Sequence, residues 1–496
     1  MTSAQMTGAL LRGTLWSLAL RWFTRAIGLV STIVLARLLL PDDYGVVAMA
    51  MLVTGLVEVF LASGADNALL RQPNATREYA DSAWTMKVIE SLIVAATVAA
   101  IAPVAEWYFK EPRVSPVMWA LSLGFVIAGC GSVGPLLARK ELDFALEVRL
   151  GVIAKIISFV VTVACAWGLR NYWALVIGVL TGHLSGAVLS YVLHAYRPRW
   201  SLRHVRELWS YSQWLLVSGI GNYFASKIDE FAAGRIGTPA ELGLYRVSSE
   251  LGTMVSTELG APINRALLPV LAAMQGEPER MRRALMKTVA AVNTLTLPAG
   301  VGLALVAQPA VAVLLGAQWA AAVPYLQAFA LLGAVRFIVG PYYTIFMATG
   351  QSRVLAKMSW CELILFGVFA IPLSASHGVP GLAAAKLCSS VPIVALWVLL
   401  GHRHGLRFGE LARQVARPLA GCLLMASVLW WMPVMSASAL LDLALRVALG
   451  AVVYGGWMAV SWHRCGRPEG VESMLFRRVA PWFGRRPENL ERNETS

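Results

Sequence analysis

The chain has 496 residues, of which 57% are hydrophobic and 14% are charged, and its formal net charge is +14. Soluble domains carry roughly 25% charged residues, so this composition excludes a disordered chain and argues against a soluble enzyme. Because a membrane-spanning helix needs about 20 mostly apolar residues, the chain has room for a dozen or more such helices and little else.

Apolar runs of spanning length recur along the whole chain. Arg21 and Arg25 interrupt the first run, and no short apolar core ends at a cleavage site, so this run is predicted to be a retained span. The chain is therefore predicted to be an all-α integral membrane protein with about fourteen transmembrane helices joined by short connections. The predicted spans are 14–36, 44–66, 88–106, 114–137, 146–167, 172–194, 209–234, 244–268, 286–308, 324–348, 355–374, 379–401, 418–436 and 440–462.

The charges of the predicted connections indicate the orientation of the chain. In a soluble protein, a net charge of +14 would suggest nucleic-acid binding. Here most of the 42 Lys and Arg residues fall in alternate connections and in the tail, which is the pattern of cytoplasmic loops. Both termini are therefore predicted to be cytoplasmic, and no nucleic-acid partner is expected.

The sequence carries no motif of metal, nucleotide or nucleophilic chemistry. The six cysteines lie far apart, which excludes a zinc-type spacing. His402 and His404 lie in an arginine-rich stretch with no cysteine or acid before Glu410. There is no phosphate-binding glycine loop and no visible nucleophile–base constellation. We therefore expect no cofactor, no metal and no enzymatic activity.

An internal repeat relates two parts of the chain. When the sequence is aligned on itself so that Trp16 falls on Trp214, residues 37–45 fall on residues 235–243 without a gap. Both segments place a proline four residues after an arginine, an acid two residues later and a glycine two residues after that. Proline and an acid suit the start of a helix, and glycine there permits close packing.

Six predicted spans separate the two copies of this pattern, so both copies have the same orientation in the membrane. The predicted architecture is two parallel six-helix bundles around a central cavity, followed by two additional helices. The predicted domains are an N-terminal bundle at 1–194, a basic cytoplasmic linker at 195–208, a C-terminal bundle at 209–401, a cytoplasmic loop at 402–417, two helices at 418–462 and a basic cytoplasmic tail at 463–496.

Three stretches of the sequence resemble one known family. Residues 35–45 resemble the LARLLxPxDYG turn of bacterial oligosaccharide flippases of the polysaccharide-transport family, in the multidrug/oligosaccharidyl-lipid/polysaccharide exporter superfamily. Residues 244–246 and 261–269 are similar to that family's LYxR and PINRxLxP stretches. Residues 298–303 and 315–319 are similar to its PxxxGL and GxxW pattern, whereas the last third of the chain agrees in hydropathy only.

The resemblance implies a fourteen-helix inner-membrane flippase. Such proteins move an undecaprenyl-diphosphate-linked oligosaccharide from the cytoplasmic to the periplasmic leaflet for O-antigen, capsule or exopolysaccharide assembly. The nearest likeness is to the branch associated with colanic-acid-type lipopolysaccharide biosynthesis. The expected partners are the lipid-linked oligosaccharide, membrane lipid, H⁺ or Na⁺ as a coupling ion, and polysaccharide polymerase and chain-length proteins.

Charged residues inside the predicted spans are the candidate site residues, because each basic side chain costs about 2.5–3.5 kcal/mol at mid-helix on insertion scales. Arg21 and Arg25 share a face of the first span. Guanidinium groups match phosphate oxygens, so the pair is predicted to bind the diphosphate. The related lipid II flippase also uses arginines of its first helix for its pyrophosphate ligand. The alternative is that both side chains snorkel to the cytoplasmic interface.

Four further basic residues inside spans are predicted to contact the phosphates or the glycan. One of them, Arg246, stands four residues before Glu250. The two form either a buried ion pair with a structural role only, or a phosphate site in which Glu250 tunes the arginine. The whole predicted substrate-binding set is Arg21, Arg25, Lys155, Arg246, Arg336 and Lys386.

Acidic residues inside spans are candidate H⁺ or Na⁺ sites. Asp229 and Glu230 are consecutive, so at most one of them is expected to face a cavity, and Lys227 is placed to neutralise Glu230 instead. The predicted ion-coupling set is Asp229, Glu230 and Glu250.

Two other functions remain as alternatives. A cation or drug antiporter of the same superfamily would need an acid-lined cavity, and the arginines of the first span argue against it. A membrane polysaccharide polymerase or ligase usually carries a large periplasmic loop with catalytic residues, whereas every outside connection predicted here is short.

Overall fold

The computed structural model describes residues 22–61, 69–70, 76–141, 143–402, 408–433 and 438–464, and every regular element among them is helical. This confirms the predicted all-α class. In chain order the helices are α1 (22–38), α2 (Pro41–Leu61), α3 (Arg77–Phe109), α4 (Val114–Gly129), α5 (Gly134–Lys140), α6 (Phe144–Leu169), α7 (Trp173–Val192), α8 (Val205–Ile236), α9 (Pro239–Ala273), α10 (Pro278–Leu305), α11 (Ala307–Leu314), a 3-10 helix (Ala317–Ala322), α12 (Val323–Ile338), α13 (Gly340–Ala348), α14 (Ser352–Gly401), α15 (Phe408–Trp430) and α16 (Ala439–Arg464).

The described residues form two compact units. The first contains α1 to α8 and the first turns of α9 up to Arg246, and the second begins at Val247. The apolar core of the second unit is built where α9, α10, α13 and α14 meet, around Leu271, Leu285 and Tyr342. The division lies within α9 and not at the predicted linker 195–208, and the predicted bundle boundaries stay predictions.

Several of the described helices are long and apolar enough to cross a membrane. Among the described residues there are eight such helices, or nine if the bent pair α4–α5 is one span. The predicted number of fourteen is larger for three reasons. Predicted span 14–36 lies partly outside the described residues, and α14, which has a break at Gly378, is counted as one helix where two spans are predicted. The helices α8, α9 and α15 carry several charged residues each.

Breaks divide three of these helical stretches, two of them inside predicted spans and one between two predicted spans. The helices α4 and α5 meet at an angle of 53°, within predicted span 114–137. Val339 separates α12 from α13, within predicted span 324–348. In α14, Gly378 has φ 63° and ψ −139°, a conformation that glycine adopts readily. This break lies between predicted spans 355–374 and 379–401.

The two copies of the repeated segment form the starts of α2 and α9 with the same local chemistry. Each begins with its proline, Pro41 or Pro239. The Asp43 carboxylate accepts a hydrogen bond from the Leu40 N–H at 3.0 Å, and the Glu241 carboxylate accepts one from the Thr238 N–H at 2.8 Å. These bonds satisfy backbone donors that would otherwise be unpaired at a helix start.

The glycine of each copy packs against the proline of the other. A Cβ atom on Gly45 would lie 1.7 Å from the carbonyl oxygen of Pro239, and one on Gly243 would lie 1.9 Å from the carbonyl oxygen of Pro41. Only a residue without a side chain fits at either position. The close packing predicted for these glycines is therefore confirmed, and the contact between the two copies is reciprocal.

Residues 193–204 lie along the first turns of α3. The buried Asp81 carboxylate accepts hydrogen bonds from the Tyr196 hydroxyl and, at 3.1 Å, from the Arg199 N–H. The Thr85 hydroxyl accepts one from the Ser201 N–H at 3.0 Å. Burial and the bond to Asp81 raise the pKa of Tyr196, so its hydroxyl remains a donor at neutral pH. The predicted basic linker is therefore anchored to a helix over this stretch.

We expect Asp81→Ala to release residues 193–204 from α3. The substitution removes a carboxylate that accepts two hydrogen bonds, and bonds to charged groups contribute about 1.5–3 kcal/mol each. Trypsin cleavage at the arginines of this segment should therefore become about tenfold faster or more, because cleavage follows local opening.

Glu78→Ala is the matched control for this prediction. It removes only the exposed ion pair with Arg203, in which the two side chains are 58% and 71% exposed. Pairs of this kind contribute about 0–1 kcal/mol, so cleavage should change little. Equal cleavage rates for the Asp81 variant and the unchanged chain would show that Asp81 does not anchor the segment.

Candidate functional site

Charged and hydroxyl-bearing side chains gather where α8, the start of α9 and the middle of α2 meet in the first unit. We call this set the α8–α9 cluster. Three of its members, Asp229, Glu230 and Arg246, belong to the predicted site, and the sequence prediction missed two tyrosines. Its members are Tyr223, Lys227, Asp229, Glu230, Tyr245 and Arg246.

Lys227 and Glu230 form an ion pair within α8. The Lys227 Nζ atom lies 2.5 Å from Glu230 Oε1. The Glu230 side chain is 7% exposed, whereas that of Lys227 is 35% exposed. This is the predicted alternative in which the lysine neutralises the acid. Because the pair is one turn apart on a single helix, the sequence spacing was enough to predict it.

Asp229 is held by a tyrosine of the next helix. The Tyr245 hydroxyl donates a hydrogen bond to Asp229 Oδ2 at 2.7 Å, and both residues are almost fully buried. A buried carboxylate needs such a donor, because an unpaired charge away from water is unfavourable. The bond joins α8 to the start of α9. Tyr245 lies in the stretch 244–246 that carries the family resemblance, which is the one sequence signal for it.

Arg246 and Tyr223 lie against successive residues of α2. An Arg246 guanidinium nitrogen is 3.5 Å from the Met51 sulfur, and the Tyr223 hydroxyl donates to the Leu52 carbonyl oxygen at 2.7 Å. Arg246 is half-buried and forms no salt bridge with a carboxylate of the described residues. The predicted ion pair with Glu250 is therefore not observed.

This arrangement offers two kinds of chemistry side by side. The Arg246 guanidinium has no carboxylate partner in the described part of the chain, so its donors remain available for an anion such as a phosphate. Asp229 and Glu230 are buried carboxylates that contact Tyr245 and Lys227, respectively.

The other predicted site residues of the first unit are not members of the α8–α9 cluster. Arg21 lies outside the described residues. Arg25 is half-buried on α1. Lys155 is exposed on α6, as are its apolar neighbours Ile156 and Ile157.

Three predicted residues belong to the second unit. Arg336 on α12 forms an ion pair with Glu362 on α14, and both line a cavity of about 230 Å³ with Tyr343. Lys386 is half-buried on the second part of α14, and Glu250 is exposed on α9. Within the described ranges, no three or more His, Cys, Asp or Glu residues are arranged to hold a metal ion.

Comparison with known proteins identifies a family. The model of the family described as "Polysaccharide biosynthesis protein" matches residues 34–324. The lipopolysaccharide biosynthesis protein WzxC of Escherichia coli K12 is 24% identical over 362 residues, which is 71% of this chain and 73% of WzxC. The succinoglycan biosynthesis transport protein ExoT of Rhizobium meliloti is 24% identical over 449 residues, which is 88% of this chain and 90% of ExoT.

The fold is similar to that of a solved membrane protein. The structure of the lipid II flippase MurJ in an inward closed conformation matches with a TM-score of 0.74 and 13% sequence identity. The match covers 92% of this chain and 100% of the MurJ chain. At this level of identity the match establishes the fold. It covers both compact units, and the family match contains the repeated segments and the whole α8–α9 cluster.

Proposed function

The chain belongs to the polysaccharide biosynthesis family of membrane transporters, and from this premise we propose that it flips undecaprenyl-diphosphate-linked oligosaccharide repeat units. The direction is from the cytoplasmic to the periplasmic leaflet of a bacterial inner membrane, for exopolysaccharide or lipopolysaccharide assembly. The names of WzxC and ExoT support a polysaccharide pathway, and the MurJ-like fold supports a flippase.

The proposed architecture has fourteen spans, two parallel six-helix bundles and both termini in the cytoplasm. A sugar head group does not cross hydrocarbon readily by itself, because its hydroxyls would lose their hydrogen bonds to water. A hydrophilic cavity replaces that hydration while the prenyl chain stays in lipid. The two bundles open to one leaflet and then to the other.

Arg246 is the observation that carries the proposal. A half-buried arginine in a membrane helix is unfavourable unless it has a partner or a ligand. The structure gives this guanidinium a thioether neighbour at 3.5 Å and no carboxylate among the described residues. The diphosphate of the substrate would supply the missing anion. We assign the same role to Arg21 and Arg25, and contacts with the phosphates or the glycan to Lys155, Arg336 and Lys386.

An ion gradient resets the transport cycle in this proposal. Asp229, Glu230 and Glu250 are the residues that would bind H⁺ or Na⁺. Asp229 and Glu230 are buried on α8, and Glu250 lies one helical turn after Arg246 on α9. These positions would let substrate binding and ion binding influence each other. Polysaccharide polymerase and chain-length proteins would receive the flipped product.

We expect Arg246→Ala to slow transport about tenfold or more, because hydrogen bonds to charged groups contribute about 1.5–3 kcal/mol. The measurement uses the full chain in vesicles that contain a fluorescent undecaprenyl-diphosphate oligosaccharide. Its appearance on the far side is followed with a membrane-impermeant quencher. Arg246→Lys should keep part of the rate, since it keeps the charge and loses the planar fork.

The matched control is Arg283→Ala, which removes an exposed arginine whose Nε bonds only to the Glu279 backbone. Its rate should equal that of the unchanged chain. Wild-type rates for Arg246→Ala would reject the assigned phosphate site, and wild-type rates for Arg21→Ala combined with Arg25→Ala would reject the first-span site. A chain that flips no lipid-linked oligosaccharide at all would reject the function itself.

A further inference from the structure

A cavity of about 400 Å³ lies in the first unit at the bend between α4 and α5. Its walls come from α3, α6 and α7, and none of its lining residues belongs to the predicted site or to the α8–α9 cluster. The volume is within the range of small-molecule sites. The charged and polar side chains that line it include Lys87, Ser132, Arg139, Glu147, His183 and Ser190.

The floor of the cavity is a closed hydrogen-bond arrangement. The buried Ser190 hydroxyl accepts a hydrogen bond from the Ser132 N–H at 2.8 Å and donates to the Ala187 carbonyl oxygen at 2.6 Å. The Ser132 hydroxyl accepts from the Gly134 N–H at 3.1 Å. These bonds satisfy the backbone where α4 ends and α5 begins. The serines therefore fix the shape of the site and leave ligand binding to the charged groups.

Above this floor, Lys87 and His183 have no hydrogen-bond partner among the described residues, and Arg139 pairs with Glu147. Lys87 on α3 is half-buried and has no hydrogen bond or ion pair with any described residue. The His183 ring on α7 is half-buried, lies 6.5 Å from the Phe125 ring, and has no hydrogen-bond partner in the described ranges. Arg139 and Glu147 form a loose ion pair at 3.6 Å. The charges of Arg139 and Glu147 cancel, so the cavity has a net positive charge from Lys87.

The second unit provides an internal comparison. One cavity of the second unit, of about 230 Å³, lies beside the break at Val339 in predicted span 324–348, just as the first-unit cavity lies beside the break in predicted span 114–137. That cavity contains the Arg336–Glu362 ion pair and no further charged side chain. A cavity beside a broken span therefore does not always have a net positive charge. Of these two cavities, the first-unit cavity is the one with surplus positive charge.

We propose that the first-unit cavity binds the phosphate group of a small phosphorylated polyol, at a site separate from the transport residues. The compact ammonium of Lys87 neutralises the phosphate, and a ring N–H of His183 donates to it. Arg139 can turn one face of its guanidinium from Glu147 to the same anion, and the Glu147 carboxylate accepts from a polyol hydroxyl. A glycerol phosphate carries both functions. It can come from a lipid head group or from a soluble ester, and both present the same chemistry.

The experiment uses the delipidated full chain in detergent with two probes. Equilibrium dialysis measures the binding of radiolabelled glycerol 3-phosphate, and native mass spectrometry counts bound phosphatidylglycerol against a phosphatidylcholine reference. Saturable binding of glycerol 3-phosphate would show that the site binds a soluble phosphate ester without a lipid tail. Saturable binding of phosphatidylglycerol alone identifies a lipid source. Saturable binding of neither probe overturns the proposal.

Two variants test the cavity by different means. Lys87→Gln removes the charge and should weaken binding about tenfold or more. Gly186→Leu fills the space, because Gly186 lines the cavity and a Cβ atom there meets nothing within 4 Å. Leucine also favours the helix over glycine, so this variant should fold normally and bind no probe. Its melting temperature checks that it is folded.

Lys357→Gln is the matched control, since Lys357 is exposed on α14 and does not line this cavity. It should bind both probes as the unchanged chain does. Equal losses in Lys357→Gln and Lys87→Gln would show general attraction to a basic protein and reject the site. Undiminished binding by folded Gly186→Leu would reject it as well. Because every readout is binding, failure of the flippase proposal would leave these results unaffected.

Discussion

Gly45→Ala and Gly243→Ala are each expected to prevent the chain from accumulating as folded protein. The added Cβ atom would lie 1.7 Å from the Pro239 oxygen in the first case and 1.9 Å from the Pro41 oxygen in the second. Both obstacles are backbone atoms at helix starts, which cannot rotate away as a side chain can. Overpacking costs about 1–3 kcal/mol where side chains can adjust, and a rigid contact should exceed this range. The measurement is the yield of monodisperse protein after detergent extraction, with thermal unfolding of any that remains.

The contact between the two segments is reciprocal, so the two substitutions should have effects of similar size. Gly455→Ala is the matched control, because it lies inside α16 and a Cβ atom there meets nothing within 4 Å. It should be neutral or stabilising by up to about 1 kcal/mol, the usual difference between glycine and alanine in a helix. Normal yield and unchanged melting of Gly45→Ala would show that the two helix starts do not depend on this contact.

Interactions between residues close in the chain could be predicted from the sequence, because helix geometry alone determines them. The proline and acid of the repeated segment predict a helix start, and the structure shows the acid bonded to the backbone three residues earlier in both copies. The Lys227–Glu230 pair was predictable for the same reason, since a helix places residues three apart on one face. The break at Gly378 falls between two predicted spans.

Contacts between helices could not be predicted from the sequence, because they depend on how each helix is rotated and shifted against its neighbours. The spacing of Gly45 predicts close packing but not that its neighbour is Pro239. Arg336 finds its carboxylate on another helix, at Glu362, and Asp229 finds Tyr245. Lys87 falls in the connection between predicted spans 44–66 and 88–106, where it counts only as a loop charge, whereas the structure places it on α3 beside a cavity. Hydropathy identifies a helix face as apolar without identifying what covers it.

Lys227→Met should destabilise the chain by about 3 kcal/mol or more, the usual range for removing one partner of a buried ion pair. The remaining Glu230 side chain is 7% exposed, so its charge has little access to water. Glu230→Gln should cost less, because the remaining Lys227 side chain is 35% exposed and can reach solvent or the interface. The double variant should recover much of the loss, since it buries no unpaired charge. Chemical unfolding of all four chains in one detergent measures the coupling.

The same variants test whether Glu230 only stabilises the fold or also binds the coupling ion. If Glu230 carries the coupling ion, Glu230→Gln should still move lipid-linked oligosaccharide down its own gradient and should lose the acceleration by an imposed H⁺ or Na⁺ gradient. Asp229→Asn is the internal comparison, because Asp229 is equally buried and accepts a hydrogen bond from Tyr245. Loss of gradient dependence in one variant alone would assign the coupling site. Gradient dependence retained in both folded variants would remove the α8 acids from the coupling step, and the Lys227–Glu230 pair would then be explained by stability alone.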